Sequence, residues 1–159
     1  MDIKEAVLEC SIDNNGVLGR IFYGCSALKK LDMQNAIITT ASMGNVLYDC
    51  VNNCSSLKEI KLPSNIITLG ENFAYNCYSL KAINTNNIKC LWQKVFYNCY
   101  SLQKLNLNSL TDLGVSSSKG STFTNSGLEE INIPNLENWL GTSDFSGCKN
   151  LRKVVSLGT

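Results

Sequence analysis

The 159-residue sequence contains no histidine. Histidine is the most common general base in enzymes and a frequent metal ligand, so its absence excludes a Ser-His-Asp triad, a Cys-His pair and an imidazole-bound metal. Three carboxylates, Asp144, Glu129 and Glu130, are left to consider for acid–base chemistry, and each also fits an ordinary surface role. We therefore expect neither a catalytic centre nor a cofactor.

An excess of one charge and long apolar runs are also missing. Lys and Arg total 14 against 13 Asp and Glu, for a net charge of +1, and the basic residues form no run. Such a chain lacks the electrostatic basis for binding nucleic acid or an anionic membrane surface. The apolar runs are too short for a transmembrane helix or for a leader after Met1. We predict neither nucleic-acid binding nor membrane insertion.

Proline is scarce and helical periodicity is absent. The two prolines, Pro63 and Pro134, each follow a short apolar alternation, where a residue without an N–H donor marks the end of a strand. No segment has the roughly 10–12 periodic residues that are typical of a standard helix. The chain is therefore expected to be predominantly β.

A repeated string occupies most of the chain. Its clearest copy, from Phe96 to Leu107, has the form F-x-x-C-x-x-L-x-x-L-x-L. The first leucine of successive copies lies at Leu28, Leu57, Leu80, Leu102, Leu128 and Leu151. The intervals of roughly 22–29 residues fall in the range of leucine-rich repeats. Copies in register along the chain predict a solenoid, in which the fifth copy is one residue shorter and has Ser126 in the cysteine position.

The pattern within one copy predicts its structure. The final L-x-L alternates as a half-buried strand does, and stacking of the copies predicts a parallel sheet of about six short strands. A second apolar pair in each copy predicts a short second strand on the return side. The F-x-x-C segment fits one helical or 3-10 turn, and Gly70, Gly114 and Gly141 are expected to bend the chain with positive φ. The predicted fold is an α/β-type leucine-rich repeat solenoid.

Five of the eight cysteines share one position of the repeat. They are Cys25, Cys54, Cys77, Cys99 and Cys148. Stacked copies would place them about 4.8 Å apart with parallel Cβ vectors, whereas a disulfide needs converging Cβ atoms. We expect buried thiols that act as small apolar side chains with a weak S–H donor, and disulfides are the alternative. Cys50 and Cys54 have the spacing of half a metal site, but no second pair accompanies them.

The boundaries of the array follow from where the repeat is regular. Residues 1–19 are the least regular and are expected to form a degenerate first coil or an N-terminal cap, since a solenoid end needs cover. The array occupies residues 20–159. The sequence stops within a strand, so we expect the array to continue or to be truncated there. The uncapped edge could also pair with a second copy of the chain.

Two places break the spacing, at residues 35–48 and at the serine-rich residues 114–121. Insertions in a solenoid lie in loops and often carry the binding surface. A flexible bulge without a function is the alternative, which we favour for the serine-rich segment.

The repeat resembles a known family. The string from Ile60 to Gly70, I-K-L-P-S-N-I-I-T-L-G, together with the F-x-x-C-x-x-L strings, resembles the BspA-like, or Treponema pallidum-type, leucine-rich repeats. The variant from Phe123 to Leu128, F-T-N-S-G-L, is similar to an alternative form of that repeat. The resemblance implies a non-catalytic repeat domain at a bacterial cell surface or in a secreted protein. Some proteins of this kind bind host extracellular proteins.

Two surfaces are candidate binding sites. The residues that alternate with the inward strand positions form a polar, mixed-charge face: Lys30, Asp32, Glu59, Lys61, Asn84, Lys104, Asn106, Glu130, Asn132 and Lys153. This face is either a rigid platform for a protein or glycan, or a solvated surface with ion pairs such as Asp32 with Lys61. A second candidate is a tyrosine patch, expected on the opposite surface, where the rings could instead cover the core: Tyr75, Tyr78, Tyr97 and Tyr100.

Three functions are compatible with the sequence. We favour a non-catalytic binding or adhesion module for protein–protein or host-matrix interaction at a bacterial cell surface. A structural spacer that projects another domain is the alternative. An enzyme is the third, and it would need a convergent acid–base pair or an activated nucleophile.

Overall fold

The computed structural model describes residues 3–14, 18–40, 46–114 and 120–156. All of the regular elements in these ranges are short strands. In chain order they are β1 (Glu5–Val7), β2 (Ser11–Asn14), β3 (Leu18–Gly19), β4 (Lys30–Asp32), β5 (Ile37–Thr40), β6 (Val46–Tyr48), β7 (Glu59–Lys61), β8 (Thr68–Leu69), β9 (Ala82–Ile83), β10 (Cys90–Leu91), β11 (Lys104–Asn106), β12 (Asp112–Leu113), β13 (Glu130–Asn132), β14 (Asn138–Trp139) and β15 (Lys153–Val155).

The strands form two walls of a solenoid. The front wall contains the sheets β1-β4-β7-β9 and β11-β13-β15, and the return wall is the sheet β14-β12-β10-β8-β6-β3. Neighbouring strands are parallel, and residues at equivalent positions of the repeat pair with each other, as Leu31 with Ile60 and Leu105 with Ile131 show. The prediction of a parallel, predominantly β solenoid of about six coils is confirmed. β1 and β3, within residues 1–19, pair with β4 and β6, so this segment joins both walls.

The front wall is divided, where the sequence predicted one continuous sheet. Asn84 follows β9, and its side chain accepts a hydrogen bond from the Leu62 N–H at 2.6 Å and donates one to the Leu62 carbonyl at 3.0 Å. Thr85 occupies a buried apolar position of the repeat, and its hydroxyl donates to the Asn106 carbonyl. The Thr85 hydroxyl therefore bridges the break between β9 and β11, whereas the Asn84 bonds join the coils of β7 and β9.

The helical or 3-10 turns expected for the F-x-x-C segments are not found, and the described residues contain no helix. Each of these segments lies in a longer turn with two left-handed residues, one two positions before the Phe position and one directly before the Cys position. Asn72 and Asn76 have φ of 54° and 60°, and Lys94 and Asn98 have φ of 55° and 59°. Left-handed residues interrupt a right-handed helix, so the turn cannot become one. No helix in the described residues could cross a membrane.

The glycines act differently from the prediction at two of three positions. Gly114 has a φ of 79°, as expected. Gly70 is not left-handed, and it is needed because a Cβ would lie 2.8 Å from side-chain atoms of Val46 and Tyr48. Gly141 is not left-handed either, and a Cβ there would collide with the Asp144 carboxylate. Close packing, rather than backbone conformation, selects glycine at these two sites.

The core consists of columns of equivalent residues. The inward strand residues predicted from the alternation are all buried: Leu31, Met33, Ile60, Leu62, Leu105, Leu107, Ile131 and Ile133. The rings of Phe96 and Phe123 stack with centroids 6.0 Å apart, and those of Phe123 and Phe145 stack at 5.3 Å. On the return side Leu69, Leu91 and Leu113 are buried as predicted. Trp139 is 48% exposed instead, because β14 is the edge strand of its sheet.

The cysteine column is a column of free thiols. Cys54, Cys77 and Cys99 are fully buried, and Cys25 and Cys148 are half-buried. Each thiol from Cys54 onward donates to a carbonyl of the preceding coil, as in Cys54 Sγ to Phe22 O at 2.9 Å. The expected burial is found for Cys54, Cys77 and Cys99, and the expected donor role for these three and Cys148.

The thiols should differ sharply in reactivity. Burial raises the pKa of Cys50 and Cys54 to about 12, so these thiols stay protonated at pH 8. We expect iodoacetamide to alkylate the exposed Cys10 in the native protein and to reach the buried thiols only after unfolding in guanidinium chloride. Peptide mass spectrometry of both samples measures this. Native labelling of Cys77 at the rate of Cys10 would contradict the cysteine column.

Parts of the two predicted insertions, residues 41–45 and 115–119, lie outside the described residues. Before the first gap, β5 pairs in parallel with β2 and forms a small separate sheet. The serine-rich segment is described only at its ends, where Gly114 and Gly120 are both left-handed.

Candidate functional site

The side chains that point away from the core on the front wall form two rows across the strands, which we call the front face. The first row contains Glu5, Lys30, Glu59, Ala82, Lys104, Glu130 and Lys153. The second contains Val7, Asp32, Lys61, Asn106, Asn132 and Val155, with Asn84 between its halves. The strand register thus brings the predicted front-face residues together. In the first row the charge alternates in sign, and only Ala82 interrupts it.

Ion pairs link neighbouring strands across this face. The predicted pair of Asp32 and Lys61 forms at 3.0 Å. Lys104 lies 3.6 Å from Glu130, and Lys30 lies 4.0 Å from Glu5. These pairs are largely exposed to solvent, so they contribute little to stability and mainly orient the side chains.

The asparagines of the front face differ in how much of their hydrogen-bonding capacity the fold already uses. Asn84 uses both ends of its amide on the Leu62 backbone, so it holds adjacent coils together. Asn106 accepts a hydrogen bond from the Asn108 N–H at 3.2 Å, and Asn132 donates to the Asn108 side chain at 3.4 Å. Asn106 and Asn132 are exposed and retain hydrogen-bonding capacity for a ligand.

The Asp32–Lys61 pair predicts a pH dependence. The hydrogen bond from Lys61, with a second from the Gln34 N–H, lowers the pKa of Asp32 below 3.8. The stabilisation is present above the unfolded pKa and is lost as the pH falls through the folded value. We expect the pKa of Asp32 to rise in Lys61→Met but to stay below 3.8, because Gln34 remains. A carbon-13 NMR titration of the carboxyl measures it, and an unchanged pKa would show that the pair does not form in solution.

The tyrosine patch forms two separate stacks. The rings of Tyr75 and Tyr97 are parallel with centroids 5.0 Å apart, and those of Tyr78 and Tyr100 stack at 5.4 Å. All four lie on the segments that connect a return strand to the next front strand. Tyr78 is 40% exposed and Tyr100 is 55% exposed, whereas Tyr75 and Tyr97 are half-buried. Stacked rings present mainly their edges to solvent.

An asparagine ladder next to the cysteine column was not predicted from the sequence. The amide of Asn76 donates to Asn53 at 2.9 Å, Asn98 donates to Asn76 at 2.8 Å, and Asn125 donates to Asn98 at 2.9 Å. All four residues are left-handed, with φ between 58° and 62°. The sequence signal is an Asn directly before the Cys or Ser of these repeats. Asparagine tolerates the left-handed region better than other non-glycine residues.

The carboxylates considered for catalysis have structural partners. Asp144 is buried and accepts hydrogen bonds from the Thr122 N–H and the Trp139 indole, both at 2.9 Å. Glu129 pairs with Arg152 at 2.7 Å, and Glu130 pairs with Lys104. Glu129 and Glu130 are neighbours in the sequence, but they pair with different basic residues. The described residues bring together no group of three acidic or cysteine ligands able to hold a metal.

Solved structures share this fold. The crystal structure of the T. pallidum leucine-rich repeat protein has a TM-score of 0.58 at 22% identity, over 90% of this chain and 66% of that chain. A leucine-rich repeat protein from Bacteroides ovatus has a TM-score of 0.56 at 20% identity, over 89% of this chain and 46% of that chain. This chain therefore spans only part of either protein. At these identities the likeness shows the fold alone.

Sequence comparison identifies the repeat itself. No curated protein sequence matches the chain. The profile of the BspA type leucine-rich repeat region matches residues 15–152 with six copies. The matched region includes the cysteine column, the asparagine ladder and most of the front face. The chain therefore belongs to the BspA-type leucine-rich repeat family.

Proposed function

We propose that this chain is a non-catalytic protein-binding module and that its front face is the binding surface. Leucine-rich repeat solenoids are typically scaffolds for protein–protein interaction. The observation that carries the proposal is the row of alternating charges on the front face, held in register by parallel strands. A rigid backbone reduces the entropy that a binding surface loses when a partner docks.

The shape of the front face also supports binding. Shallow depressions lie along it, one around Leu31 and one around Ile131. A third depression surrounds Ala82, whose short side chain leaves space between Glu59 and Lys104. A partner with a complementary charge pattern would be oriented by the row and would gain association rate from it. An extended segment of a protein fits such a row better than a compact small molecule does.

We further propose that the module acts in adhesion at a cell surface or as a secreted protein, with a protein of the host matrix as partner. Proteins of this family are usually extracellular or surface-associated. An ordered, charged platform without deep pockets suits a large partner, because each contact is weak and many act together.

Binding of purified fibronectin, laminin and collagen tests this proposal. Each is immobilised, and the affinity of the chain is measured by biolayer interferometry. We expect at least one to bind, with Lys61→Ala, Lys104→Ala or Asn106→Ala weakening it by about tenfold. The matched control is Lys89→Ala, which removes the same charge from an exposed lysine next to the return strand β10 and should leave the affinity unchanged.

A structural spacer is the second candidate, and a specific observation favours it. Several front-face charges are already paired with each other, and Asn84 is fully used within the fold. If none of the matrix proteins binds, or if the front-face variants bind as tightly as the wild type, the chain is better described as a spacer.

A further inference from the structure

The tyrosine stack formed by Tyr78 and Tyr100 ends abruptly. Tyr78 covers one face of the Tyr100 ring at 5.4 Å. Tyr100 is the more exposed of the two and borders a surface depression that Tyr78 does not line. One face of the Tyr100 ring is therefore open toward the next coil.

The depression exists because the fifth repeat lacks one residue. The segment Cys99-Tyr100-Ser101-Leu102 corresponds to Ser126-Gly127-Leu128, so no side chain follows Tyr100 in the stack. The position of Tyr100 is next occupied two coils further on, by Lys149. With about 4.8 Å per coil, the two positions are separated by roughly 10 Å, which leaves space for one ring-shaped group between their side chains.

Glycines keep this space open. A Cβ on Gly127 would collide with the Tyr100 carbonyl, so the floor of the depression cannot carry a side chain. A Cβ on Gly147 would collide with the Asn125 side-chain oxygen. The backbone still stacks here, since the Gly127 N–H donates to the Cys99 carbonyl at 3.1 Å. The depression therefore lies between coils whose backbones still stack on each other.

Polar groups surround the gap. The asparagine ladder ends at Asn125, because Gly147 occupies the next position and brings no amide. Among the described residues, no donor reaches the Asn125 Oδ1 atom, and no carboxylate pairs with Lys149. Lys149 and Asn150 line the far side and are exposed. The rim therefore offers an acceptor, an ammonium and an amide around one aromatic face.

We propose that this depression, which we call the Tyr100 notch, binds one pyranose ring of a glycan. The ring face of Tyr100 packs against the C–H face of the sugar, and Asn125, Lys149 and Asn150 bond its hydroxyls. An aromatic or proline side chain of a peptide would need further apolar walls. Tyr100 provides the one apolar wall that the notch has, so the observations favour the sugar. This site is separate from the front face.

An NMR titration of the nitrogen-15-labelled chain tests the notch. The probes are the methyl glycosides of glucose, galactose, mannose and N-acetylglucosamine, added to millimolar concentrations. We expect saturable shifts of the Gly127 and Gly147 amide signals with at least one glycoside. Tyr100→Ala should weaken this binding by about tenfold or more, since it removes the stacking surface.

Further variants show whether the binding belongs to the notch or to a neighbouring surface. Tyr78→Ala removes a neighbouring ring that does not line the notch and should retain binding. Insertion of a tyrosine after Ser126 restores the length of the repeat and should abolish binding. Asn150→Ala changes an exposed side chain at the rim of the notch and should weaken binding. This variant tests the notch whether or not the insertion variant folds. Lys104→Ala should leave the titration unchanged, because Lys104 lies on the front face and not in the notch. The test of the notch therefore does not depend on whether the front face binds a protein.

Two outcomes would overturn the proposal. The first is the absence of saturable shifts at Gly127 and Gly147 with any glycoside, or shifts that persist in Tyr100→Ala. The second is a proline-rich peptide that produces the same shifts at lower concentration than every glycoside, which would assign the notch to a protein ligand.

Discussion

Replacing Phe96 by alanine is expected to destabilise the fold by about 3–5 kcal/mol. Phe96 is fully buried and stacks on Phe123, which stacks on Phe145 in the next coil. The alanine would leave a cavity in the middle of the array. Because a solenoid is stabilised mainly by contacts between adjacent coils, this loss would weaken the coupling of the coils on either side. Guanidinium chloride unfolding followed by circular dichroism measures the change.

Tyr100→Ala is the matched control, since it removes an aromatic ring from the surface stack of the same repeat. Its ring is more than half exposed, and the lost stacking with Tyr78 should cost at most about 1.5 kcal/mol. If Phe96→Ala destabilised the protein no more than Tyr100→Ala does, the phenylalanine column would not be the core of the fold.

Asn98→Ala is expected to have the next largest effect, about 3–4 kcal/mol, from two causes that add. Asn98 has a φ of 59°, and alanine in the left-handed region costs about 1–2 kcal/mol. Its side chain also donates to Asn76 and accepts from Asn125, and each hydrogen bond contributes about 1 kcal/mol. The same unfolding experiment measures the sum.

Asn98→Gly separates these causes. Glycine adopts the left-handed conformation without steric cost, and it occupies this position naturally at Gly24 and Gly147, with φ of 72° and 69°. We therefore expect this variant to lose only the ladder hydrogen bonds and to be less destabilised than Asn98→Ala. Equal destabilisation of the two variants would show that backbone conformation contributes nothing to the effect.

The structure of one coil was predictable from the periodicity, because the same apolar positions of the repeat are buried in successive copies. The alternation at Leu105 and Leu107 predicted the front strands, the second apolar pair of each copy predicted the return strands, and the shared cysteine position predicted free thiols in the core. The one ion pair named from the sequence, Asp32 with Lys61, followed from the same register. These features depend on the period alone, and the period is visible in the sequence.

Features that depend on a single side chain were not predictable in this way. At the break in the front wall the Thr85 hydroxyl donates to the Asn106 carbonyl, and the pattern alone treats Thr85 as a weak apolar position of the repeat. The turn before each cysteine was expected to be helical because its length fits one turn. The left-handed Asn98 and Lys94 prevent that, and only their dihedral angles reveal it.

For the candidate sites, the register predicted which residues share the front face but not which of them are already used by the fold. Asn84 is fully engaged, whereas Asn106 and Asn132 are not. The tyrosines were expected to cluster, and they form two stacks with different exposure. The consequence of the shorter fifth repeat at Tyr100 emerges only when the neighbouring coils are placed in space.

The fold and both candidate sites depend on the stacking of equivalent positions in successive coils. Nuclear Overhauser contacts between phenylalanine rings in the native protein test this stacking most directly, because these residues are distant in the sequence. We predict cross-peaks between the rings of Phe96 and Phe123 and between those of Phe123 and Phe145, whose centroids lie 6.0 and 5.3 Å apart. Assigned spectra of the folded chain without either cross-peak would contradict the stacked solenoid.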